Sequence, residues 1–193
     1  LKVKKNMIKE KQKKIEIGIV KKQGSSKNQA KIVYLAIGSN LSNKKYNIEK
    51  TKFKLLKYDI KIVKCSSNYE SLSWPNPKKP KFVNLVVKIK TTLSPINLLK
   101  ICHTIEKQMG RKRFKKNEPR LCDIDIIDYN NNVMKYNGSL ALTLPHPEMV
   151  KRNFVLLPLF EISKSWIHPK TKINIGKLIN SLSINDLRTI KQI

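Results

Sequence analysis

Asp123 and Asp125 lie two residues apart in the run Asp123-Ile124-Asp125-Ile126-Ile127-Asp128. On a β-strand, side chains two apart project from one face, with Cα atoms about 6.5 Å apart. Two carboxylates at that spacing can share one or two divalent cations. Hard oxygen ligands with few other protein donors suit Mg2+, which completes its shell with water and phosphate oxygens. A lone Asp-x-Asp is better explained as a solvated strand face, so the neighbours decide. Arg111, Arg113 and Arg120 precede the pair within a dozen residues. Cations beside a carboxylate pair at a sheet edge describe a site for a polyphosphate and its metal.

The arginines stand out against the rest of the chain. It has 193 residues with Lys+Arg 41 against Asp+Glu 13, a formal net charge of +28, yet only five cations are arginine. Lysine is spread through every segment, whereas three of those five arginines fall within residues 111–120, where a planar bidentate donor is required. Aromatic residues are 7% and scattered. A nucleic-acid groove would concentrate cations on one element and interleave aromatics that stack on bases, so the expectation is salt-sensitive polyanion binding without a specific nucleic-acid partner. Three cysteines, Cys65, Cys102 and Cys122, lack any Cys-x-x-Cys spacing. That argues against a disulfide framework or zinc site and for a reducing cytoplasm. Apolar runs such as 154–160 are too short to span a bilayer, so no membrane partner is expected.

The elements that must position the pair follow from periodicity. Residues 1–30 read as a basic extension and linker, and 31–193 as one domain. A buried strand at 32–37 should end in a tight turn at Gly38-Ser39-Asn40. A helix follows, capped by Ser42 or Asn43, running to about Lys57 with Ile48, Phe53, Leu55 and Leu56 as its apolar side. Strands are expected at 60–69 and 82–89, separated by a loop with Pro75, Pro77 and Pro80. Ser94-Pro95 opens a second helix that Gly110 stops. The aspartate strand comes next, with Asn130-Asn131-Asn132 as its turn, then irregular chain to Pro145-His146-Pro147 and helical pieces at 148–151, 152–162 and 176–182. The order β-α-β-β-α-β predicts an α+β, ferredoxin-like antiparallel sheet with helices packed on one face and extra helical pieces at the C-terminus.

Several of these segments resemble one family. Gly110-Arg111-Lys112-Arg113 and Pro119-Arg120-Leu121-Cys122-Asp123-Ile124-Asp125-Ile126-Ile127 are similar to the signature of the 6-hydroxymethyl-7,8-dihydropterin pyrophosphokinases of folate biosynthesis. Tyr34-Leu35-Ala36-Ile37-Gly38-Ser39-Asn40-Leu41, Ser66-Ser67-Asn68-Tyr69-Glu70-Ser71, Phe82-Val83-Asn84, Leu144-Pro145-His146-Pro147 and the run from Arg152 to Leu159 agree in order, so the resemblance covers about 31–162. It implies transfer of pyrophosphate from ATP to the pterin's hydroxymethyl oxygen, with AMP released. By the same resemblance, Asp123 and Asp125 hold two Mg2+ ions, and Arg113 and Arg120 contact the ATP phosphates as catalytic groups. Glu106, Arg111, Thr143, His146 and Arg152 surround the nucleotide. Phe82 and Phe154 sandwich the pterin, Asn84 reads its edge, and Ser71, Leu72 and Trp74 wall the pocket.

The chain departs from the family's usual pattern at Glu118, a carboxylate among the arginines. It also lacks tryptophan in 114–118, where Phe114 is the aromatic available, has His103 where glutamine is usual, and carries Phe82 for a common tyrosine. The proline, lysine and polar content of the loops around Trp74 and Arg113 predicts that they close and order the site once ATP binds, in a protein expected to be monomeric and cytoplasmic. A nucleotidyltransferase would place its Gly-Ser turn close to the carboxylate pair, whereas Gly38-Ser39 and Asp123 are about 85 positions apart. An RNA-binding ferredoxin-like module would carry stacking aromatics where Asp123, Asp125 and Asp128 stand.

Overall fold

The structure, a computed structural model, describes residues 29–111 and 118–193. Arg113, Phe114 and the extension before residue 29 lie outside the described residues. In chain order the elements are β1 (Lys31–Ser39), α1 (Lys44–Leu55), β2 (Ile60–Cys65), β3 (Tyr69–Ser71), β4 (Phe82–Thr91), α2 (Pro95–Gln108) and β5 (Asp123–Tyr129). There follow β6 (Met134–Tyr136), β7 (Leu142–Leu144), a 3-10 turn at Met149–Lys151, α3 (Asn153–Ile162), α4 (Ile175–Asn180), α5 (Ile184–Arg188) and β8 (Ile190–Gln192).

Strand β4 is the spine of a six-stranded antiparallel sheet. It pairs β1 along one side and β2 then β3 along the other, while β5 lies outside β1 and β8 outside β3. This is the ferredoxin-like arrangement that the element order predicts. Alternation along the strands sends Val33, Leu35, Ile37, Leu85, Val87, Ile89, Ile124 and Ile126 to one face, where they pack with Leu98, Cys102 and Ile105 of α2 and Ile48 and Leu55 of α1. The opposite face is also covered. Tyr34, Val86 and Ile127 pack there against Val155, Leu156 and Leu159 of α3 and Ile175 and Leu178 of α4. The C-terminal helices therefore add a third layer beyond the one face of helices expected from sequence.

Local chemistry explains where the boundaries fall. Asn43 caps α1 by accepting from the Tyr46 N–H. The buried stripe of α1 is Asn47, Ile48, Thr51 and Leu55, whereas Phe53 and Leu56 are 61% and 55% exposed. Asn47 fixes that rotation, because its Nδ2 donates to Ser39 Oγ (3.1 Å) and to the Leu41 carbonyl (3.0 Å). The expected strand 60–69 is broken at 66–68. There Ser66 exchanges hydrogen bonds with Val86, and Glu161 of α3 collects the Ser67 N–H, the Ser67 hydroxyl and the Tyr69 hydroxyl. Helix α2 is capped by Ser94 and ends where Gly110 takes φ +90°. The Arg111 N–H bonds the Glu106 carbonyl (2.9 Å) and the Gly110 N–H bonds that of Lys107 (3.0 Å), a Schellman ending. The expected final helix at 176–182 is the shorter α4, and α5 and β8 follow it. Among the described residues no helix is long and apolar enough to cross a membrane.

Candidate active site

Helix α3 begins only at Asn153, so its cover stops short of the sheet end formed by the close of β1 and the starts of β4 and β5. Gly38 sits in the middle of this bare end, paired with Asn84 on one side and Asp123 on the other. It belongs to the strand, not to the turn expected from sequence. A Cβ there would fall 2.6 Å from Asn84 Oδ1 and 3.4 Å from Phe82 Cδ1. Glycine therefore leaves room for those side chains to lie across β1.

The register of β5 settles where the carboxylates go. A bulge opposite Tyr34/Leu35 lets Ile126 pair Leu35 and Asp128 pair Tyr34, with Ile127 as the extra residue. Before the bulge, Ile124 and Ile126 enter the core with α1 and α2, so Asp123 and Asp125 face the other way, over the bare end. After it, Asp128 reaches the α3/α4 layer, where its carboxylate accepts from Trp166 Nε1 (2.8 Å) and from the Asn131 N–H (3.0 Å). Burial raises its pKa against these bonds.

Two cavities meet at the carboxylate pair. One, of about 150 Å³, is lined by Ser71, Leu72, Trp74, Phe82, Asn84 and Phe154, together with Arg111, Arg120, Arg152, Asp123 and Asp125. The other, of about 330 Å³, is lined by Glu106, His103, Thr143 and His146, again with Arg111, Asp123 and Asp125. All six residues expected around a pterin thus gather in the first cavity. Of those expected around a nucleotide, Glu106, Arg111, Thr143 and His146 line the second. Arg120 and Arg152 open onto the first, and Arg113 lies outside the described residues.

The arginines neutralise the pair. Arg111 bridges Glu106 and one oxygen of Asp123, and Arg120 takes the other oxygen. Glu106, almost wholly buried, also accepts from the Ile124 N–H (2.9 Å), so it holds Arg111 and the strand start together. Burial works to raise the Asp123 pKa, but the guanidinium groups of Arg120 and Arg111 outweigh it and hold the carboxyl below its ordinary value. Arg152 Nη1 donates to Asp125 Oδ2 at 2.9 Å. His146 Nε2 stands 3.8 Å from the same oxygen, and its Nδ1 accepts from the Glu148 N–H. Burial lowers the His146 pKa despite Asp125, leaving the ring neutral at pH 7.

The same guanidinium groups lie over aromatic faces. Arg120 is 5.1 Å from the Phe82 ring centroid, and Arg152 is 5.3 Å from Trp74 and 5.8 Å from Phe154. The Nε atoms of Arg120 and Arg152 are buried without a hydrogen-bond partner. Two orphaned cationic donors beside a carboxylate pair fit oxygens of an anionic ligand. Among the described residues no cluster of three His, Cys, Asp or Glu surrounds the pair. Such a sparse donor set fits a cation that takes its remaining ligands from water and phosphate.

Two contributors belong to the Gly38-Ser39-Asn40 run, which reads from sequence only as a turn and helix start that shapes the site. Gly38 is one. Asn40 is the other: it exchanges bonds with the Arg120 backbone (Oδ1 to N–H 2.7 Å, N–H to O 3.1 Å), and its Nδ2 donates to the Pro80 carbonyl (3.2 Å). It thereby pins both loops that border the first cavity. The Gly-Ser-Asn run was the only sequence signal for either. Glu118, expected among the arginines, is 48% exposed and turns to Lys79 (3.4 Å), while Arg120 Nη1 takes only its backbone carbonyl.

The model of the family 7,8-dihydro-6-hydroxymethylpterin-pyrophosphokinase (HPPK) matches residues 34–164. The chain is 34% identical over 171 residues to the Folic acid synthesis protein fol1 of Pneumocystis carinii, covering 89% of this chain and 22% of that one. It is 40% identical over 137 residues to the 2-amino-4-hydroxy-6-hydroxymethyldihydropteridine pyrophosphokinase of Aquifex aeolicus, covering 71% and 83%. The chain spans about a fifth of the length of the folic acid synthesis proteins it matches. Among solved structures, it superposes on Plasmodium falciparum HPPK-DHPS with pterin and p-hydroxybenzoate with a TM-score of 0.69 at 18% identity, over 87% of this chain and 48% of that one. At that identity the likeness speaks for the fold. With the family model spanning well over half the chain and relatives above 30% identity, this chain belongs to the 7,8-dihydro-6-hydroxymethylpterin-pyrophosphokinase family.

Proposed function

We propose that this chain transfers the pyrophosphoryl group of ATP to the hydroxymethyl oxygen of 6-hydroxymethyl-7,8-dihydropterin. The hydroxymethyl oxygen bonds the β-phosphorus and releases its proton to solvent. The bond between that phosphorus and the oxygen bridging to the α-phosphate breaks, and AMP leaves. The observation that carries the reading is the wall of Arg111, Asp123 and Asp125 shared by an aromatic-lined cavity and a polar one. A flat ring in the first and a nucleotide in the second place acceptor and phosphates on either side of the carboxylates.

Phe82 and Phe154 offer faces to the pterin and Asn84 an amide to its edge, with Ser71, Leu72 and Trp74 closing the slot. Asn84 is held for this task, since its Nδ2 already donates to Ser71 Oγ (2.9 Å) and its Oδ1 stays available to a donor. Glu106, Thr143 and His146 border the nucleotide, where neutral His146 offers Nε2–H. Arg120 and Arg152, each with an Nε lacking a partner, would serve phosphate oxygens together with Arg111; the family resemblance gives the same role to Arg113, outside the described residues. Asp123 and Asp125 would hold Mg2+, which supplies neutralisation of the triphosphate charge. Positioning and charge balance are what phosphoryl transfer asks of a protein.

The test is AMP release by the purified protein given ATP, Mg2+ and the reduced pterin, with omissions of pterin and of metal, and with Asp123→Asn. Release that requires both, and falls at least a thousandfold in Asp123→Asn with the fold retained, is the expected result. Release without pterin, or release by Asp123→Asn within tenfold of the unaltered chain, overturns it.

A further inference from the structure

The residues beyond the family match bear directly on the aromatic cavity. Asn153 stands between Arg152 and Phe154, which both line that cavity. It is a buried amide, and its Nδ2 donates to the Asp186 carbonyl (2.5 Å) and to Thr189 Oγ1 (3.1 Å). The α5–β8 segment therefore grips the first turn of α3. Strand β8 then runs along β3 with Ile190 opposite Ser71 and Gln192 opposite Tyr69. It is locked at its end by the Ile193 N–H to the Asn68 carbonyl (2.9 Å) and by Gln192 Nε2 to Ser67 Oγ (2.9 Å). Strand β3 carries Ser71 into the opposite wall of the same cavity, and Ser71 Oγ in turn orients Asn84.

We propose that the α5–β8 segment is a brace that sets the width of the aromatic cavity, with Asn153 and Thr189 as positioning residues for Phe154. One short segment ties the two facing walls to each other. Without it β3 is a three-residue strand held from one side only, and the first turn of α3 has no partner for its amide. No residue of the brace lines the second cavity. Its loss therefore acts on the pterin half, while Arg152 keeps its own bond to Asp125 and the nucleotide half is spared. This inference rests on the proposed reaction for its kinetic readout alone.

The experiment combines Asn153→Ala, Thr189→Val, which keeps shape but not the hydroxyl, and Thr189→Ser, which keeps the hydroxyl. Asn153→Ala and Thr189→Val should raise KM for the pterin at least fivefold with KM for ATP within twofold, and Thr189→Ser should stay within twofold of the unaltered chain. Hydrogen exchange should accelerate at least tenfold at 69–72 in Asn153→Ala, although the two bonds that are lost go to Asp186 and Thr189. If KM for ATP rises in step with KM for the pterin, or if exchange at 69–72 is unchanged, the brace is refuted. If Asn153→Ala fails to fold, the Thr189 pair decides by the same measures. If the unaltered chain releases no AMP, the proposed reaction fails, and the exchange result alone decides the brace.

Discussion

Gly38 offers a sharp test of how the aromatic cavity works. In Gly38→Ala the new methyl would lie 2.6 Å from Asn84 Oδ1, about 0.8 Å inside ordinary contact. The backbone does not resist the change, because Gly38 lies in regular strand pairing and not in the left-handed region. The clash must be relieved by Asn84, which is buried and tied to Ser71 Oγ. Rotating the amide away forfeits that bond, about 1 kcal/mol net. Pressing a methylene into a packed site costs about 1–3 kcal/mol, of which the open cavity relieves part. A loss of about 2 kcal/mol in pterin affinity follows, close to 30-fold. The nucleotide cavity is not lined by Asn84, so ATP affinity should stay within twofold. Isothermal titration with each ligand measures both. The same substitution made on Asn84→Ala has the space it needs, so its added cost should be under about 0.5 kcal/mol. Pterin affinity within threefold in Gly38→Ala, or an equal penalty in the Asn84→Ala background, would refute the steric argument.

Other predictions concern charge. The Asp123 carboxyl is held below its ordinary value of 3.8, burial opposing and Arg120 and Arg111 prevailing. A depressed folded value means that its stabilisation is complete above the unfolded value and is lost as pH falls through the folded one. Thermal melts should therefore show stability dropping below about pH 4, and Asp123→Asn should flatten that drop; an unchanged slope counts against the pairing. Tyr69 is pushed up to about 12, first by burial and then by its bond to Glu161. Glu161→Ala should bring it part of the way down, the effect of burial remaining, in an ultraviolet difference titration against Tyr69→Phe. It should also cost about 2–3 kcal/mol, because Ser67 and Tyr69 lose their acceptor; a Tyr69 value that stays near 12 contradicts this account.

Much of the site was legible because strand and helix signals carry their own geometry. The two-residue spacing of Asp123 and Asp125, the Ser94 cap and the Gly110 stop are local facts, and each places its residue without reference to the rest of the fold. What escaped is non-local. Phe53 and Leu56 fit an apolar helical stripe, but Asn47 reaching back to Ser39 and Leu41 turned them to solvent. Residues 66–68 alternate like a strand until Glu161, far along the chain, pulls them out of the sheet. Gly38 reads as turn chemistry unless one knows that Asn84 will lie beside it. The final strand β8 is too short for periodicity to detect and exists because β3 has a free edge to offer.

The position of β5 has a bearing on solubility. It is the outer strand of the sheet and carries Ile124, Ile126 and Ile127 in near succession, a composition that invites a second chain to add itself edge to edge. Three devices discourage this. The bulge at Ile127 interrupts the regular ladder that an incoming strand would need. The His146 N–H already occupies the Ile127 carbonyl at 2.9 Å. Arg111, Arg120 and Arg152, paired with Asp123 and Asp125, crowd the first half of the strand. The bulge and the His146 bond thus close part of the outer edge to a second chain on the strand that bears the carboxylates.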